Sequence, residues 1–223
     1  MYNIYLDIFH NLYGIIFCFQ ALYYTFIILN LDLSNNIDIS ILDTNYDTIM
    51  RYSTLYFVIS GIINILDKSY LFLIHHIISW LSLYYGLATN NTKYKLWMCV
   101  NFLAEISTIF LSLDTVMKNL FVIFGVENKY NTIGLILKCV FTIFYTLIRT
   151  LFLTPINLSI MLFHQKYYFD SSYFGLFIKP CMCFMICLNI YWFVFLVKKV
   201  YTAFNKEKKT NKYSNKSNFI YVF

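Results

Sequence analysis

Charged side chains are scarce in this sequence, and their scarcity excludes a soluble protein. Asp, Glu, Lys and Arg make up 13% of the 223 residues, whereas a soluble domain contains about 25%. Hydrophobic residues make up 60%, and the mean hydropathy is +0.62. A globule of 26.7 kDa could not bury so much apolar surface without aggregating. We therefore expect one integral membrane domain whose solvent is the bilayer.

The sequence also lacks the patterns of a metal site or a disulfide framework. Its six cysteines lie in or beside apolar segments. Cys181, Cys183 and Cys187 come close together, but no second group of Cys or His is spaced to complete a zinc site. We therefore treat the cysteines as small apolar residues and expect neither a bound metal nor a cofactor.

A polar segment between Asn30 and Arg51 contains four acidic residues and no lysine. These residues are Asp32, Asp38, Asp43 and Asp47. The segment has neither the Gly nor the Glu that a calcium-binding loop requires. We predict a solvated acidic loop here.

Six apolar segments approach the roughly 20 helical residues that cross a bilayer core of about 30 Å. They are Leu12–Leu29, Tyr52–Leu66, Tyr70–Ala88, Leu96–Leu113, Ile133–Thr154 and Phe177–Val197. The apolar stretch Ile156–Phe163, after Pro155, is expected to lie at the interface or to continue the fifth helix past a kink. These segments predict an all-α, multi-pass transmembrane bundle. Its expected parts are a first span and acidic loop (1–51), a helical core (52–201) and a basic polar tail (202–223).

Basic residues are concentrated at the end of the chain. Seven of the 17 Lys and Arg residues follow Val197. We expect this tail to lie in the cytosol beside anionic lipid rather than on nucleic acid, and six spans then place both termini there. The N-terminus lacks the basic start and cleavage site of a signal peptide, and the C-terminus lacks a retrieval signal. A glycosylation sequon, Asn90-Asn91-Thr92, would face the lumen.

Four of the spans contain polar side chains at helical spacing. The four sets are Ser53, Ser60, Asn64 and Asp67; His75, Ser79 and Ser82; Asn101, Glu105, Thr108 and Ser112; and Lys138, Thr142, Tyr145 (or Thr146) and Arg149. Each set lies on one face of its helix. Ser, Thr and Asn at such spacing commonly join membrane helices by hydrogen bonds. Because ionisable groups in the membrane are costly and usually face the bundle interior, we predict a shared central cavity.

Glu105 and Arg149 are two oppositely charged residues that the predicted spans place within the bilayer. One hypothesis pairs them as an ion pair between antiparallel neighbours. The other hypothesis has Arg149 hold a lipid phosphate or carboxylate, while Glu105 is protonated or exchanges a proton. A buried carboxylate favours its protonated form, which fits the second role.

The tandem pair His75-His76 is the most specific feature of the spans. Adjacent residues on a helix point about 100° apart, so the two rings face different neighbours. A histidine in a low-dielectric cavity favours its neutral form, which can serve as a base or an acyl acceptor. The alternative is a structural, hydrogen-bonded role. His10 and His164 are expected at the surface, outside the cavity.

Four short motifs resemble the TLC-domain family, which includes ceramide synthases, translocon-associated membrane proteins and small TLC-domain-containing proteins. The motifs are Asp67–His76, Asn101–Leu111, Arg149 followed by Pro155, and Asn189–Phe193. Their order and spacing are most similar to the small members, and the resemblance spans roughly Tyr52 to Tyr201. It implies a six-helix bundle around a cavity, and suggests the endoplasmic reticulum.

The resemblance also implies what the site does. In ceramide synthases the paired histidines lie where an acyl chain passes from acyl-CoA to a long-chain base, a role that would fall to His75 and His76. Those enzymes have a further His-Asp element where this chain has Glu105, Ser107 and Asp114. The small members are associated with lipid handling and membrane-lipid composition.

Two functions from different classes follow. The first is a membrane protein involved in lipid binding, lipid homeostasis or membrane-lipid composition. Its expected partners are a membrane lipid or acyl chain and the bilayer, and not nucleic acid. The second is a lipid N-acyltransferase that uses His75-His76, with acyl-CoA as co-substrate. A third hypothesis, a transporter, has less support, since the sequence shows no obvious half-helices broken by paired Gly or Pro. The candidate site residues are His75 and His76 for catalysis, and Asn64, Asp67, Ser79, Asn101, Glu105, Thr108, Thr142 and Arg149 for the pocket.

Overall fold

The computed structural model describes residues 4–33 and 39–213, and every element in these ranges is helical. The α-helices are α1 (Ile4–Leu33), α2 (Ile39–Leu66), α3 (Tyr70–Thr89), α4 (Thr92–Asn101), α5 (Glu105–Ile123), α6 (Glu127–Phe144), α7 (Thr154–Ser159), α8 (Gln165–Tyr168) and α9 (Tyr173–Tyr213). A 3-10 turn, Phe102–Ala104, joins α4 to α5. Two π-helical segments, Tyr145–Leu153 and Ile160–His164, flank α7.

Six stretches of helix in the described ranges are long and apolar enough to cross a membrane, which confirms the all-α, multi-pass bundle. They are Ile4–Asn30, Ser40–Leu66, Tyr70–Thr89, Thr92–Ile123, Ile133–Tyr168 and Tyr173–Lys198. Large apolar side chains such as Phe9, Leu55 and Phe152 are about half exposed on the outside of the bundle. Such an apolar exterior is stable against acyl chains and not against water.

The predicted acidic loop is wrong from Ile39 onward, because α2 begins there and not near Tyr52. The acidic side chains have partners that a helix can accommodate. Asp47 accepts a hydrogen bond from Arg51 one turn later at 2.8 Å, and Asp43 accepts one from the buried Lys95 at 2.5 Å. Asp32 and Asp38 lie outside the residues whose side chains are described, as does the basic tail beyond Tyr201.

The fifth span continues through Pro155, so the stretch after it is a continuation of the helix. Proline has no N–H to donate within a helix, and its ring clashes with the preceding turn. The wider turn of the π segment accommodates this defect. The Thr154 hydroxyl donates to the carbonyl of Arg149 at 2.7 Å, so this carbonyl remains bonded where the ladder changes register.

The six spans close into a ring. α1 packs against α2 and α5, α5 packs against α6, the first π segment packs against α9, and α3 packs between α9 and α2. At one end of the ring, α2 turns into α3 through Asp67–Ser69, with Lys68 at a positive φ of 57°. We call this the turn end. It holds the first residues of α1, the end of α5 and the second half of the sixth span.

The opposite end is closed by interlocked aromatic rings. Tyr85, Tyr94, Trp97 and Phe169, which we call the aromatic plug, are all less than 5% exposed. Adjacent rings meet edge to face, with centroids 4.8 Å apart for Tyr85 and Tyr94 and 5.4 Å apart for Tyr94 and Trp97. Because these rings are buried and interlocked, this end of the bundle is packed solid.

Just outside the plug, hydrogen bonds from Ser172 and from the Tyr85 hydroxyl lower the pKa of Asp170.

Candidate functional site

A cavity of about 710 Å³ lies inside the ring and is lined by residues from all six spans. Nine of the ten candidate site residues line it: Asn64, Asp67, His75, His76, Ser79, Asn101, Glu105, Thr108 and Arg149. The polar faces predicted on separate helices thus converge on one space. This convergence locates a candidate site, but it does not by itself indicate what the site does.

Thr142 does not line the cavity. Its hydroxyl donates to the carbonyl of Lys138, one turn earlier in the same helix, at 2.8 Å. The π segment begins at Tyr145, and its larger number of residues per turn rotates the following residues relative to those before it. Arg149 therefore faces the cavity while Thr142 does not, although the spacing of a regular helix placed both on one face.

The two histidines face different neighbours, as adjacent residues on a helix must. The Asn64 side-chain amide lies 3.1 Å from Nδ1 of His76, so α2 orients this ring. His75 instead packs edge to face against Trp192 of α9, with ring centroids 5.3 Å apart. Its Nδ1 is buried and has no hydrogen-bond partner among the described residues. The same is true of the Asn189 side-chain oxygen, which also belongs to the cavity wall.

The ion pair hypothesised between Glu105 and Arg149 is wrong, since the described residues include no such contact within 4.0 Å. Arg149 donates instead to the hydroxyls of Ser107 at 3.1 Å and Thr108 at 2.8 Å. It also reaches the carbonyl of Ala104 at 3.3 Å. That carbonyl ends the 3-10 turn and is available there because the hydrogen-bond ladder changes at the junction.

Glu105 faces α1 rather than Arg149. Its carboxylate accepts a weak hydrogen bond from the Cys18 thiol, with a sulfur-to-oxygen distance of 3.4 Å. Cys18 is completely buried. The cavity therefore contains a guanidinium held by neutral oxygens and, beside it, a carboxylate without a cationic partner among the described side chains. Both residues line the cavity.

His10 lines the cavity, so its predicted surface position is wrong; His164 is exposed and lies outside the cavity, as predicted. His10 bonds to the Ser60 hydroxyl through Nε2 at 2.7 Å and stacks on the Tyr56 ring. The first span was predicted to start at Leu12, which left His10 out of the helix. The spacing of Asp7, His10 and Asn11 by three and four residues was the available signal.

The turn end of the cavity is acidic. Asp7 and Asp67 line it there, and the Asn119 amide holds Asp7 at 2.6 Å. Together with Glu105, three carboxylates of the described residues line the cavity, against one guanidinium, that of Arg149. Among the described residues, no group of three or more His, Cys, Asp or Glu side chains is arranged to hold a metal ion.

Further polar residues of the cavity wall were not among the candidates. They include Asp7, His10, Asn11, Ser69, Thr115, Asn157 and Asn189. Asn157 accepts from the Trp97 indole at 2.6 Å and donates to Asn101 at 2.7 Å. It lies beyond Pro155, in the stretch that the sequence placed either at the interface or in a kinked continuation of the fifth helix.

The chain matches a known protein family. A family model described as the TLC domain matches residues 6–198. No curated protein and no solved structure matches the chain. The matched region begins well before Tyr52, where the sequence resemblance was set to start. The first span, with its contribution to the cavity, is thus part of the matched domain.

Proposed function

Because the chain belongs to the TLC-domain family, we propose that it binds a membrane lipid in its central cavity and acts in lipid homeostasis or in setting membrane-lipid composition. The observation that carries this proposal is the cavity itself. Its volume of about 710 Å³ falls within the roughly 300–1,000 Å³ of typical ligand sites. Polar groups line its middle and its turn end, and mainly apolar side chains line the opposite end, a division that matches a lipid head and chain.

The electrostatics of the middle of the cavity support a polar or charged ligand group there. Arg149 is 8% exposed, and its bonds go to uncharged oxygens. A phosphate or carboxylate of a lipid would supply a charged acceptor that these oxygens do not, and such charge-assisted bonds are roughly twice as strong as neutral ones. Glu105 can in turn accept a bond from a ligand hydroxyl or amine.

We test lipid binding by filling the cavity. Ser79→Phe places a ring in the space beside His75, one helical turn away. We expect the lipid that co-purifies with the protein, measured by extraction and mass spectrometry, to fall about tenfold or more, which corresponds to a loss of 1.4 kcal/mol or more in binding free energy. Thr142→Phe is the matched control, since Thr142 lies outside the cavity. Equal lipid in parent, Ser79→Phe and Thr142→Phe would refute binding in the cavity.

A lipid N-acyltransferase is the second candidate, favoured by the unpartnered Nδ1 of His75. A neutral imidazole there would take a proton from the amine of a lipid as its nitrogen attacks the thioester carbonyl of acyl-CoA. The C–N bond forms, the C–S bond breaks, and the thiolate of coenzyme A leaves and takes up the proton. Acyl-CoA is thus a co-substrate, and no resident cofactor is required.

As part of the proposal, we assign the protein to the endoplasmic reticulum or another endomembrane, with both termini in the cytosol. Six spans return the chain to the side on which it started. The lysines after Val197 favour the cytosolic side for the turn end, where the sixth span ends.

A further inference from the structure

The two ends of the cavity differ in chemistry. The turn end contains carboxylates and hydroxyls, including Asp7, Asp67 and Thr115. The other end is lined mainly by the apolar side chains of Leu83, Met98, Leu153 and Met182. The polar side chains of Asn101 and Asn157, which also line it, are bonded to each other. A molecule with one apolar chain is accommodated best with its chain away from the turn end, because placing the chain among carboxylates would leave these groups desolvated.

The apolar end is a closed floor. Leu83, Met98, Leu153 and Met182 contact the cavity, yet they are only 1%, 7%, 2% and 5% exposed. Their side chains come from four different spans of the ring, namely the third, the fourth, the fifth and the sixth. Because these side chains line the cavity and are otherwise buried, other residues must pack behind them. The cavity therefore does not open to the surrounding lipid through this floor.

The aromatic plug lies behind this floor. Trp97, adjacent in sequence to Met98, packs edge to face on Phe169 with centroids 5.7 Å apart. Its indole N–H is held by Asn157 at 2.6 Å. The interlocked rings and this hydrogen bond resist displacement, because close-packed interiors transmit strain rather than yield to it. The floor is therefore backed by a packed layer that resists the entry of a longer chain.

Met98 and Met182 are the two floor residues with long, unbranched side chains. Met182 is also held in place, since the Ser82 hydroxyl bonds to its sulfur at 3.2 Å. Unbranched methionine fills irregular gaps and conforms to what it contacts. Its terminal methyl group therefore marks the depth at which a chain must stop.

We propose that a lipid enters the cavity chain first and that Met98 and Met182 limit the chain length it can have. This inference rests on the proposed lipid binding and adds to it the ligand class: lipids with one chain of limited length in the cavity. Each further methylene that fits the floor strengthens binding about fourfold, from roughly 0.8 kcal/mol per buried CH₂. A methylene beyond the floor meets packed side chains and weakens it.

The test uses a series of lysophosphatidylcholines that differ only in the length of a saturated chain. Each is added to the purified, full-length protein in detergent, and the bound fraction is measured by native mass spectrometry. For the parent we expect affinity to rise with chain length and then to drop. Met182→Ala and Met98→Ala should each move the drop to longer chains, and Met182→Phe should move it to shorter ones.

Met161→Ala is the matched control, because Met161 is 8% exposed and lies outside the cavity. It should leave the position of the drop unchanged. The inference is overturned if the parent binds these lipids but both alanine variants keep the parent's chain-length limit, or if Met161→Ala moves the limit as much as they do. If the parent binds none of these lipids and no co-purified lipid either, the proposed function itself fails. The alanine substitutions on two separate spans guard against one variant that does not fold.

Discussion

At the scale of residues, the site depends on a few polar groups whose partners come from other helices. Asn64 orients His76, and Trp192 packs against His75. Arg149 is held by oxygens of the fourth span. A polar side chain in hydrocarbon costs free energy unless it is bonded. The unpartnered Nδ1 of His75 therefore stands out as a group that a ligand can satisfy.

This group gives a direct test of the acyltransferase candidate. With acyl-CoA and a sphingoid base as substrates, His75→Ala should lower N-acylation by about a hundredfold or more, the range of general-base contributions. His76→Ala should lower it as well. The product is measured by mass spectrometry of the extracted lipids. His164→Ala, which changes an exposed histidine outside the cavity, serves as control. Turnover by the parent that survives both cavity substitutions would exclude these histidines as the base.

At the scale of elements, the irregular segments position the site. The 3-10 turn before Glu105 leaves a carbonyl for Arg149, and the π segment from Tyr145 turns Arg149 toward the cavity. π-helical turns are rare in proteins, and those that occur are often found at functional sites. Here the cause is local: Pro155 cannot donate within the helix, and the wider turns take up the missing bond.

The hydroxyl of Thr154 should measurably stabilise this segment. Thr154→Val removes its bond to the carbonyl of Arg149 and should lower the free energy of unfolding by about 0.6 kcal/mol, the mean for side-chain hydrogen bonds in membrane proteins. Thr150→Val is the control with the opposite expectation. Its hydroxyl is buried without a partner among the described residues, so its removal should be neutral or stabilising. Unfolding in denaturing detergent measures both. Equal losses in the two variants would contradict this account.

At the scale of the whole molecule, closure of the ring creates the cavity and leaves it polar at one end. α3 packs between α2 and α9, and the first span packs against both the second and the fourth. The plug end is solid with aromatic rings, whereas the turn end contains the carboxylates. A lipid that reaches the cavity from the turn end comes from the cytosolic side, given the proposed orientation.

The orientation can be measured by cysteine labelling in sealed microsomes, whose cytosolic face is outside. A membrane-impermeant maleimide should label Lys118→Cys, at the exposed turn end of α5, without detergent. It should label Ser171→Cys, in the exposed connection at the plug end, only after the membrane is permeabilised. The parent chain gives the background from the natural cysteines. The reverse pattern would place the termini in the lumen.

Composition and hydropathy alone determined that this is a six-span membrane protein. The spacing of polar residues also indicated the shared cavity, because a helix of regular period places residues four and three apart on one face. Sequence alone could not place Thr142 outside the cavity, and it placed His10 outside the cavity although the spacing of Asp7, His10 and Asn11 was a signal that it lies inside. The first depends on a π segment that breaks the period, and the second on where α1 begins.

Tertiary structure alone decided which polar groups meet. Glu105 and Arg149 have the charges of an ion pair, but the 3-10 turn and the packing of α1 gave each of them other partners. The acidic residues at the start of α2 led the sequence analysis to predict a loop. In the structure they lie in a helix, where Arg51 and Lys95 form ion pairs with two of them. Charge and periodicity can be read from one segment of the sequence. Which residue becomes the partner of another depends on the distance between their helices. Distances between helices arise only when the ring closes.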